Sequence, residues 1–184
     1  MRNGVLGLGV SILLLSAPAA QAQSVYGSEL GAYLGLTGFY ALDTSSGDVD
    51  DIADTSDGGF AIRAGFRIAA PLAIELQGDY NNAWTDFDLW TLTLNFRVYP
   101  LQMEEFGGEV GRLQPYVIVG AGVIAGDPDS DPYQLNGAFR MGAGLNFYLT
   151  EQLAIDAGTE WTVGTGFWSD ASYMKFGLGL QYNF

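Results

Sequence analysis

Residues 173–184 read YMKFGLGLQYNF, and they alternate without a break between two kinds of side chain. The large apolar phase consists of Met174, Phe176, Leu178, Leu180, Tyr182 and Phe184. The other phase is mostly small or polar and consists of Tyr173, Lys175, Gly177, Gly179, Gln181 and Asn183. A period of two residues places successive side chains on opposite faces of a β-strand. We therefore predict a strand at the end of the chain, with one apolar face and one small or polar face.

The same alternation recurs along the chain and predicts eight strands. They cover residues 29–42, 59–69, 72–81, 87–99, 114–126, 135–149, 153–164 and 173–184. Each has about the length that a tilted strand needs to cross a membrane. The first and fifth strands are apolar on both phases, so the direction in which their side chains face stays open.

The composition indicates a membrane protein built from strands. Hydrophobic residues make up 48% of the chain, yet after the N-terminal segment no apolar run is long enough for a membrane helix. Only helices and closed barrels satisfy every backbone polar group in lipid. We therefore predict an all-β fold, an eight-stranded antiparallel up-and-down transmembrane β-barrel.

A soluble β-sandwich or a lipocalin-like barrel is the alternative, with the apolar phase inside. Two features oppose it. The polar phase contains many glycines, which suits a narrow interior, and aromatic residues recur near strand ends, as in the aromatic girdles of membrane barrels. These aromatic residues are Tyr33, Phe39, Tyr80, Trp84, Phe87, Tyr99, Trp161, Phe167, Trp168, Tyr173, Tyr182 and Phe184.

The N-terminus has the features of a secretory signal peptide. Arg2 precedes an apolar run over residues 5–15, and Ala20-Gln21-Ala22 forms an A-x-A cleavage site. The run is shorter than the roughly 20 residues that a membrane helix needs. We expect a cleaved signal peptide over residues 1–22 and one barrel domain over residues 23–184.

The predicted connections alternate in character along the chain. Two of those after even-numbered strands are short, at residues 70–71 and 150–152, as periplasmic turns usually are. Residues 43–58, 82–86, 127–134 and 165–172 follow odd-numbered strands, are mostly longer and acidic, and are typical of extracellular loops. Both termini would then be periplasmic. The connection from Pro100 to Leu113 is long for a periplasmic turn, and its role stays open.

Most basic residues lie on the polar phase of the predicted strands. Five of the seven are there, together with four acidic residues: Arg63, Arg67, Arg97, Arg140, Lys175, Glu75, Asp79, Asp156 and Glu160. An eight-stranded barrel has an interior just wide enough for side chains to fill. We therefore predict that these charges pair inside the barrel and close it, in preference to forming a polar conduit or a binding pocket.

Four segments carry a resemblance to a known family. They are residues 73–80 (AIELQGDY), 114–117 (QPYV), 142–145 (GAGL) and the terminal strand. The chain resembles the small eight-stranded outer-membrane barrels that include the OmpA transmembrane domain, OmpX and the opacity-type surface proteins. Its end, with Tyr182 and Phe184, resembles the C-terminal sorting signal of outer-membrane barrels. The resemblance implies the bacterial outer membrane, its lipid and lipopolysaccharide, and the barrel-assembly machinery as the chain's surroundings and partners.

The residues needed for several kinds of chemistry are missing from the sequence. There is no Cys and no His, so thiol chemistry and Ser-His or His-Asp sites cannot be built. Outer-membrane barrel enzymes that act on lipid use such sites. Carboxylate pairs remain, Glu75 with Asp79 and Asp156 with Glu160, but we expect them to pair with interior arginines. A net charge of −14 argues against nucleic-acid binding.

Alternating aspartates suggest a weak cation site at one loop. Asp127, Asp129 and Asp131 resemble the start of a calcium loop, although Pro132 and Ala138 break the rest of that pattern. We expect solvated acidic loops, no metal and no cofactor. The predicted function is non-enzymatic, with a structural or surface-interaction role in membrane integrity or adhesion through these loops. A narrow porin-like channel is the alternative, and a lipid-acting enzyme is the least favoured.

Overall fold

The computed structural model describes residues 30–44, 56–84, 87–102, 111–126, 134–166 and 172–184. Eight strands account for most of them. They are β1 Gly31–Asp43, β2 Ser56–Ala69, β3 Leu72–Trp84, β4 Phe87–Val98, β5 Leu113–Gly126, β6 Gln134–Tyr148, β7 Leu153–Gly164 and β8 Ser172–Asn183. A short 3-10 helix, Pro100–Gln102, follows β4. In this described part of the chain, no helix is long and apolar enough to cross a membrane.

The eight strands form one closed antiparallel barrel in sequence order. Each strand pairs with its sequence neighbours, and β1 closes the ring against β8, from Tyr33 opposite Asn183 to Asp43 opposite Tyr173. Closure leaves no strand edge unpaired. The predicted eight-stranded antiparallel up-and-down barrel is therefore confirmed.

The predicted strand bounds agree with the structure to within two residues except at two places near one end of the barrel. There, β2 begins at Ser56 and β3 extends to Trp84, each three residues beyond the prediction. The β1–β2 ladder continues through Ala41 opposite Asp57 and Leu42 opposite Ser56. Backbone pairing therefore continues past the last residues whose alternation shows in the sequence.

The two ends of the barrel differ in their connections. The terminal end is the end at Gly31 and Asn183, where the short turns at residues 70–71 and 149–152 also lie. The loop end is the opposite end, at Asp43 and Ser172. The predicted acidic segments connect strands at the loop end, and most of their residues lie outside the described part of the chain.

The outward surface of the barrel is a nearly continuous apolar belt. Large apolar side chains from all eight strands are exposed there, and Leu178, at 65%, is among the most exposed. Outward aromatic residues occur near both ends. Phe60, Tyr80 and Trp90 form a row near the loop end, with ring centroids 5.5 and 4.7 Å apart, while Tyr182 and Phe184 are 5.2 Å apart at the terminal end. This is the outward pattern expected of a barrel in lipid.

Candidate functional site in the barrel interior

All nine charged residues of the predicted network lie inside the barrel. Each of them exposes 7% or less of its surface, and Arg97 and Glu75 expose none. They come from β2, β3, β4, β6, β7 and β8, because on each of these strands the charged residues share the inward phase. The structure divides eight of them into two clusters of ion pairs.

The first cluster lies toward the terminal end and joins two arginines to two carboxylates. The Asp156 carboxylate contacts Arg63 Nη1 at 2.9 Å and Arg97 Nη1 at 3.2 Å. The Arg97 Nη2 atom also lies 3.0 Å from Glu75 Oε2. We call Arg63, Glu75, Arg97 and Asp156 the terminal-end cluster. Arg97 is its centre, because it contacts both acids.

The second cluster lies toward the loop end and is arranged around two carboxylates. Asp79 pairs with Arg140 and, at 2.9 Å, with Lys175 Nζ. Glu160 Oε2 lies 2.9 Å from Lys175 Nζ and 3.5 Å from Arg140 Nε. We call Asp79, Arg140, Glu160 and Lys175 the loop-end cluster. Gln77 Nε2 donates to Asp79 Oδ1 at 2.9 Å and to Glu160 Oε2 at 3.1 Å, which holds the two acids together.

This division separates the carboxylate pairs that the sequence suggested for acid–base chemistry. Glu75 belongs to the terminal-end cluster and Asp79 to the loop-end cluster, and Asp156 and Glu160 are separated in the same way. Each carboxylate contacts at least one cation. An acid paired in this way is held as the charged partner of an ion pair, because breaking a buried pair leaves an uncompensated charge.

Tyrosine rings and hydroxyls complete the terminal-end cluster. Tyr33 donates to Glu75 Oε2 at 2.9 Å, and Tyr116 donates to Asp156 Oδ1 at 3.2 Å. The Arg97 guanidinium also lies 4.0 Å from the centre of the Tyr116 ring. These contacts give the buried charges additional partners.

Arg67, the ninth charged residue, lies nearer the terminal end and stacks on a different ring. Its Cζ atom is 3.9 Å from the centre of the Tyr99 ring, and Tyr99 packs edge-on against Tyr116 at 6.3 Å. Tyr33, Tyr99 and Tyr116 also form an apolar cluster with Ala73. A layer of aromatic rings therefore fills the terminal end of the interior.

Glycines on neighbouring strands make room for these large side chains. A Cβ atom at Gly65 would overlap the Tyr33 ring, and one at Gly35 would lie 2.8 Å from Arg63 Nε. On β6 and β7, Cβ atoms at Gly144 and Gly158 would meet the Tyr116 hydroxyl. The inward glycines that the sequence shows on the polar phase therefore provide the volume that the charged and aromatic side chains occupy.

A layer of mainly apolar side chains lies across the loop end of the interior, which the sequence did not predict. It consists of Phe39, Ala41, Ala61, Leu89, Ile124, Ala138 and Tyr173, all of them buried. Lys175 Nζ lies 5.0 Å from the centre of the Phe39 ring, so the layer borders the loop-end cluster. The interior at this end is therefore mainly apolar, whereas the sequence left the facing of the first and fifth strands open.

Two of the strands explain why this layer was missed. Phe39 and Ala41 are on β1 and Ile124 is on β5, the strands that are apolar on both phases. Hydropathy alone could not orient those strands. The β1–β8 register shows which phase of β1 faces inward. Thr37, Phe39 and Ala41 lie opposite Gly179, Gly177 and Lys175, which are on the inward phase of β8.

The predicted aromatic girdle also needs correction. Tyr33, Phe39, Tyr99 and Tyr173 are buried inside the barrel, whereas Trp161, Tyr182 and Phe184 are exposed on the outward face. The buried aromatic rings lie near strand ends because the aromatic layer and the apolar layer occupy the two ends of the interior. Position along a strand therefore does not distinguish a girdle residue from an interior one.

The predicted weak metal ligands Asp127, Asp129 and Asp131 lie outside the described residues. In the described ranges, no group of three or more carboxylates is arranged to hold a metal ion. Phe184 is described, and its outward side chain is 61% exposed next to Tyr182.

The sequence of the barrel matches a known family. A family model for the outer membrane protein beta-barrel domain matches residues 9–184. The chain belongs to this family. It is therefore a β-barrel of the bacterial outer membrane, with its apolar belt in lipid. No curated protein matches the chain in sequence.

Solved structures share the fold at low sequence identity. Neisserial surface protein A is 17% identical with a TM-score of 0.65, and the match covers 84% of this chain and 97% of that one. The N-terminal barrel of Pseudomonas aeruginosa OprF is 17% identical with a TM-score of 0.55, over 85% and 100% of the chains. OprG from the same organism is 15% identical with a TM-score of 0.56, over 88% and 99%. At these identities the likeness extends to the fold alone.

Proposed function

We propose that this protein is a non-enzymatic barrel with a closed interior, which serves the integrity of the outer membrane and presents an acidic surface to the outside. The filled interior of the barrel is the main support for this proposal. Between the aromatic layer and the apolar layer, eight charged side chains are held in two buried ion-pair clusters. A barrel of eight strands has no room for these side chains and a column of water as well.

The apolar layer supports a closed state by a second physical effect. Hydrophobic constrictions stop ions because water leaves them, even where a narrow space remains. Leu89 and Ile124 are fully buried in that layer and come from the paired strands β4 and β5. An ion entering from the loop end would have to cross this layer before it reached Lys175 or Asp79.

Conductance across a planar bilayer tests the proposal. We expect the refolded protein to give no steady conductance, and we expect a Leu89→Ser and Ile124→Ser double variant to give brief openings, because its layer is wetted more easily. Steady, ion-selective conductance in the unmutated protein would replace the closed barrel with a narrow porin-like channel. The family match and the fold are compatible with either result, so the measurement decides between them.

The surface role rests on the charge of the loop-end segments. Residues 43–58, 82–86, 127–134 and 165–172 contain aspartates and no Lys or Arg. In this proposal they associate weakly with divalent cations that also bind lipopolysaccharide phosphates, because hard carboxylate oxygens suit hard cations. Magnesium should therefore increase the binding of lipopolysaccharide to the refolded barrel, and chelation should reverse it. Equal binding in magnesium and in chelator would refute this role.

Phe184 is proposed as part of the signal that the barrel-assembly machinery recognises. Leu178 is a matched control on the same strand, because its outward side chain is 65% exposed and that of Phe184 is 61% exposed. We expect Phe184→Ala to reduce the amount of assembled barrel in the outer membrane more than Leu178→Ala does. Equal reductions would show that Phe184 acts only as one more lipid-facing residue.

A further inference from the structure

A small cavity lies between the two ion-pair clusters, and Phe39, Ala61, Gly158 and Gly177 form the apolar part of its lining. Its volume is about 10 Å³, and its polar lining consists of Thr37, Gln77, Tyr116, Asp156, Glu160 and Lys175. Tyr116 and Asp156 bond to each other in the terminal-end cluster, while Gln77, Glu160 and Lys175 are joined in the loop-end cluster. The cavity is therefore lined by residues of both clusters.

Two residues that line this cavity each have a buried oxygen atom without a hydrogen-bond partner among the described residues. These atoms are Thr37 Oγ1 and Gln77 Oε1. Gln77 is 1% exposed and Thr37 is 7% exposed, so bulk water does not satisfy them. Leaving a buried polar atom unsatisfied costs about 1–3 kcal/mol. Such atoms in a folded protein are usually satisfied by an ordered water molecule.

We infer that this cavity binds a single structural water molecule that connects the two ion-pair clusters. A volume of this size is about the minimum that holds one water, and a buried water needs two to four polar partners. Gln77 Oε1 and the carboxylates of Asp156 and Glu160 can accept its hydrogens, and the Thr37 hydroxyl can donate to its oxygen. The lining thus offers acceptors for the hydrogens of a water molecule and a donor to its oxygen.

A small cation is the other occupant that oxygen atoms could hold. The lining argues against it, because it includes Lys175, whose positive charge would repel a cation. Both carboxylates in the lining also already contact basic side chains, Asp156 those of Arg63 and Arg97, and Glu160 those of Arg140 and Lys175. A water molecule has no net charge, so it leaves the pairing of these carboxylates with basic side chains unchanged.

Thr93 provides a matched control. Its Oγ1 atom is also buried without a partner among the described residues, and Thr93 lies opposite Gln77 on β4, but it does not line the cavity. Thr37→Val should lower the equilibrium constant for folding by about threefold to tenfold, because the water loses a partner. Thr93→Val should be neutral or stabilising, because a methyl group replaces an unsatisfied hydroxyl.

The experiment combines urea unfolding of these variants in liposomes with nuclear magnetic resonance of the unmutated, refolded protein. We expect magnetisation transfer from water to the Thr37 methyl group and none to the Thr93 methyl group. Both residues carry a hydroxyl, so relay through that hydroxyl would give equal signals. Equal transfer, or a Thr37→Val variant as stable as Thr93→Val, would overturn the inference.

A change of salt distinguishes a water molecule from a cation in the cavity. Replacing sodium chloride with choline chloride at equal ionic strength should leave the stability of the unmutated protein unchanged. A loss of stability that sodium restores would identify a cation in the cavity and overturn the water site. If Thr37→Val fails to fold, the spectrum of the unmutated protein and the salt exchange still decide the question.

Discussion

On β8, Lys175 and Leu178 are three residues apart and have different surroundings. Lys175 is 3% exposed inside the barrel, where Asp79 and Glu160 both contact its amine, whereas Leu178 is 65% exposed on the outward face. Lipid chains adapt to any apolar side chain, so the outward position requires only hydrophobicity. The inward position requires specific partners, because every neighbour there is another side chain of the same protein.

The two faces therefore differ in the substitutions that they tolerate. An outward substitution that stays apolar changes the contact area with lipid and little else. An inward substitution changes the partners of several residues on other strands; Asp156, for example, contacts Arg63, Arg97 and Tyr116. The inward face should therefore be sensitive to small changes, and the outward face should be sensitive mainly to charge.

The largest expected effect is the loss of one interior acid. Glu75→Ala removes the carboxylate that contacts Arg97 Nη2 at 3.0 Å and the Tyr33 hydroxyl at 2.9 Å. Breaking a buried ion pair by removing one partner costs about 3–5 kcal/mol. We expect the free energy of unfolding, measured with urea in liposomes, to fall by that amount.

The control for this variant is the same substitution at an exposed position. Glu151 lies in the exposed turn between β6 and β7, and Glu151→Ala should change the free energy of unfolding by less than about 1 kcal/mol, because the contacts of an exposed charge contribute little to stability. If Glu75→Ala and Glu151→Ala had similar effects, water would have to reach Arg97, and the interior would not be closed.

The second effect is a charge on the outward face. Leu178 lies in the middle of β8, where lipid is deepest, and Leu178→Arg should destabilise the barrel by about 2–4 kcal/mol. Leu178→Val, which removes one methylene group from the same place, should cost only about 0.8 kcal/mol. Urea unfolding of both variants measures the two losses of stability. Similar losses for Arg and Val would mean that this face is not surrounded by lipid.

The sequence was sufficient where one face of a strand differs clearly from the other. On β3, Glu75, Gln77 and Asp79 alternate with apolar residues, and the structure places all three inside. On β1 and β5 both phases are apolar, and the orientation depends on which residues fit beside the neighbouring strands. Hydropathy distinguishes a lipid-facing side of a strand from a polar inward side. It therefore cannot orient a strand whose inward side is also apolar.

The ion-pair partners could not be predicted for a different reason. Arg63 and Asp156 are 93 positions apart and come from strands that are not neighbours in the barrel. Whether they meet depends on the tilt of the strands and on the space left by glycines such as Gly35. The sequence predicts that the charges share the interior, but their division into two clusters requires the three-dimensional register.

The smallest expected effect compares two glycines that face opposite sides. Gly65 faces inward, and a Cβ atom there would overlap the Tyr33 ring; Gly38 faces outward, and a Cβ atom there would meet no atom within 4 Å. Gly65→Ala should therefore cost about 1–3 kcal/mol by overpacking. Gly38→Ala should stabilise the barrel by about 0.4–1 kcal/mol, because alanine restricts the unfolded chain.

A double-mutant cycle shows whether the Tyr33 ring causes the loss at Gly65. In a Tyr33→Leu background the shorter side chain leaves space for the new methyl group, so Gly65→Ala should cost less there than in the unmutated protein. The loss of the Tyr33 bond to Glu75 is common to both arms of the cycle and cancels. If Gly65→Ala costs the same in both backgrounds, or if the two glycine variants change stability equally, then the inward glycines do not act by making room for large side chains.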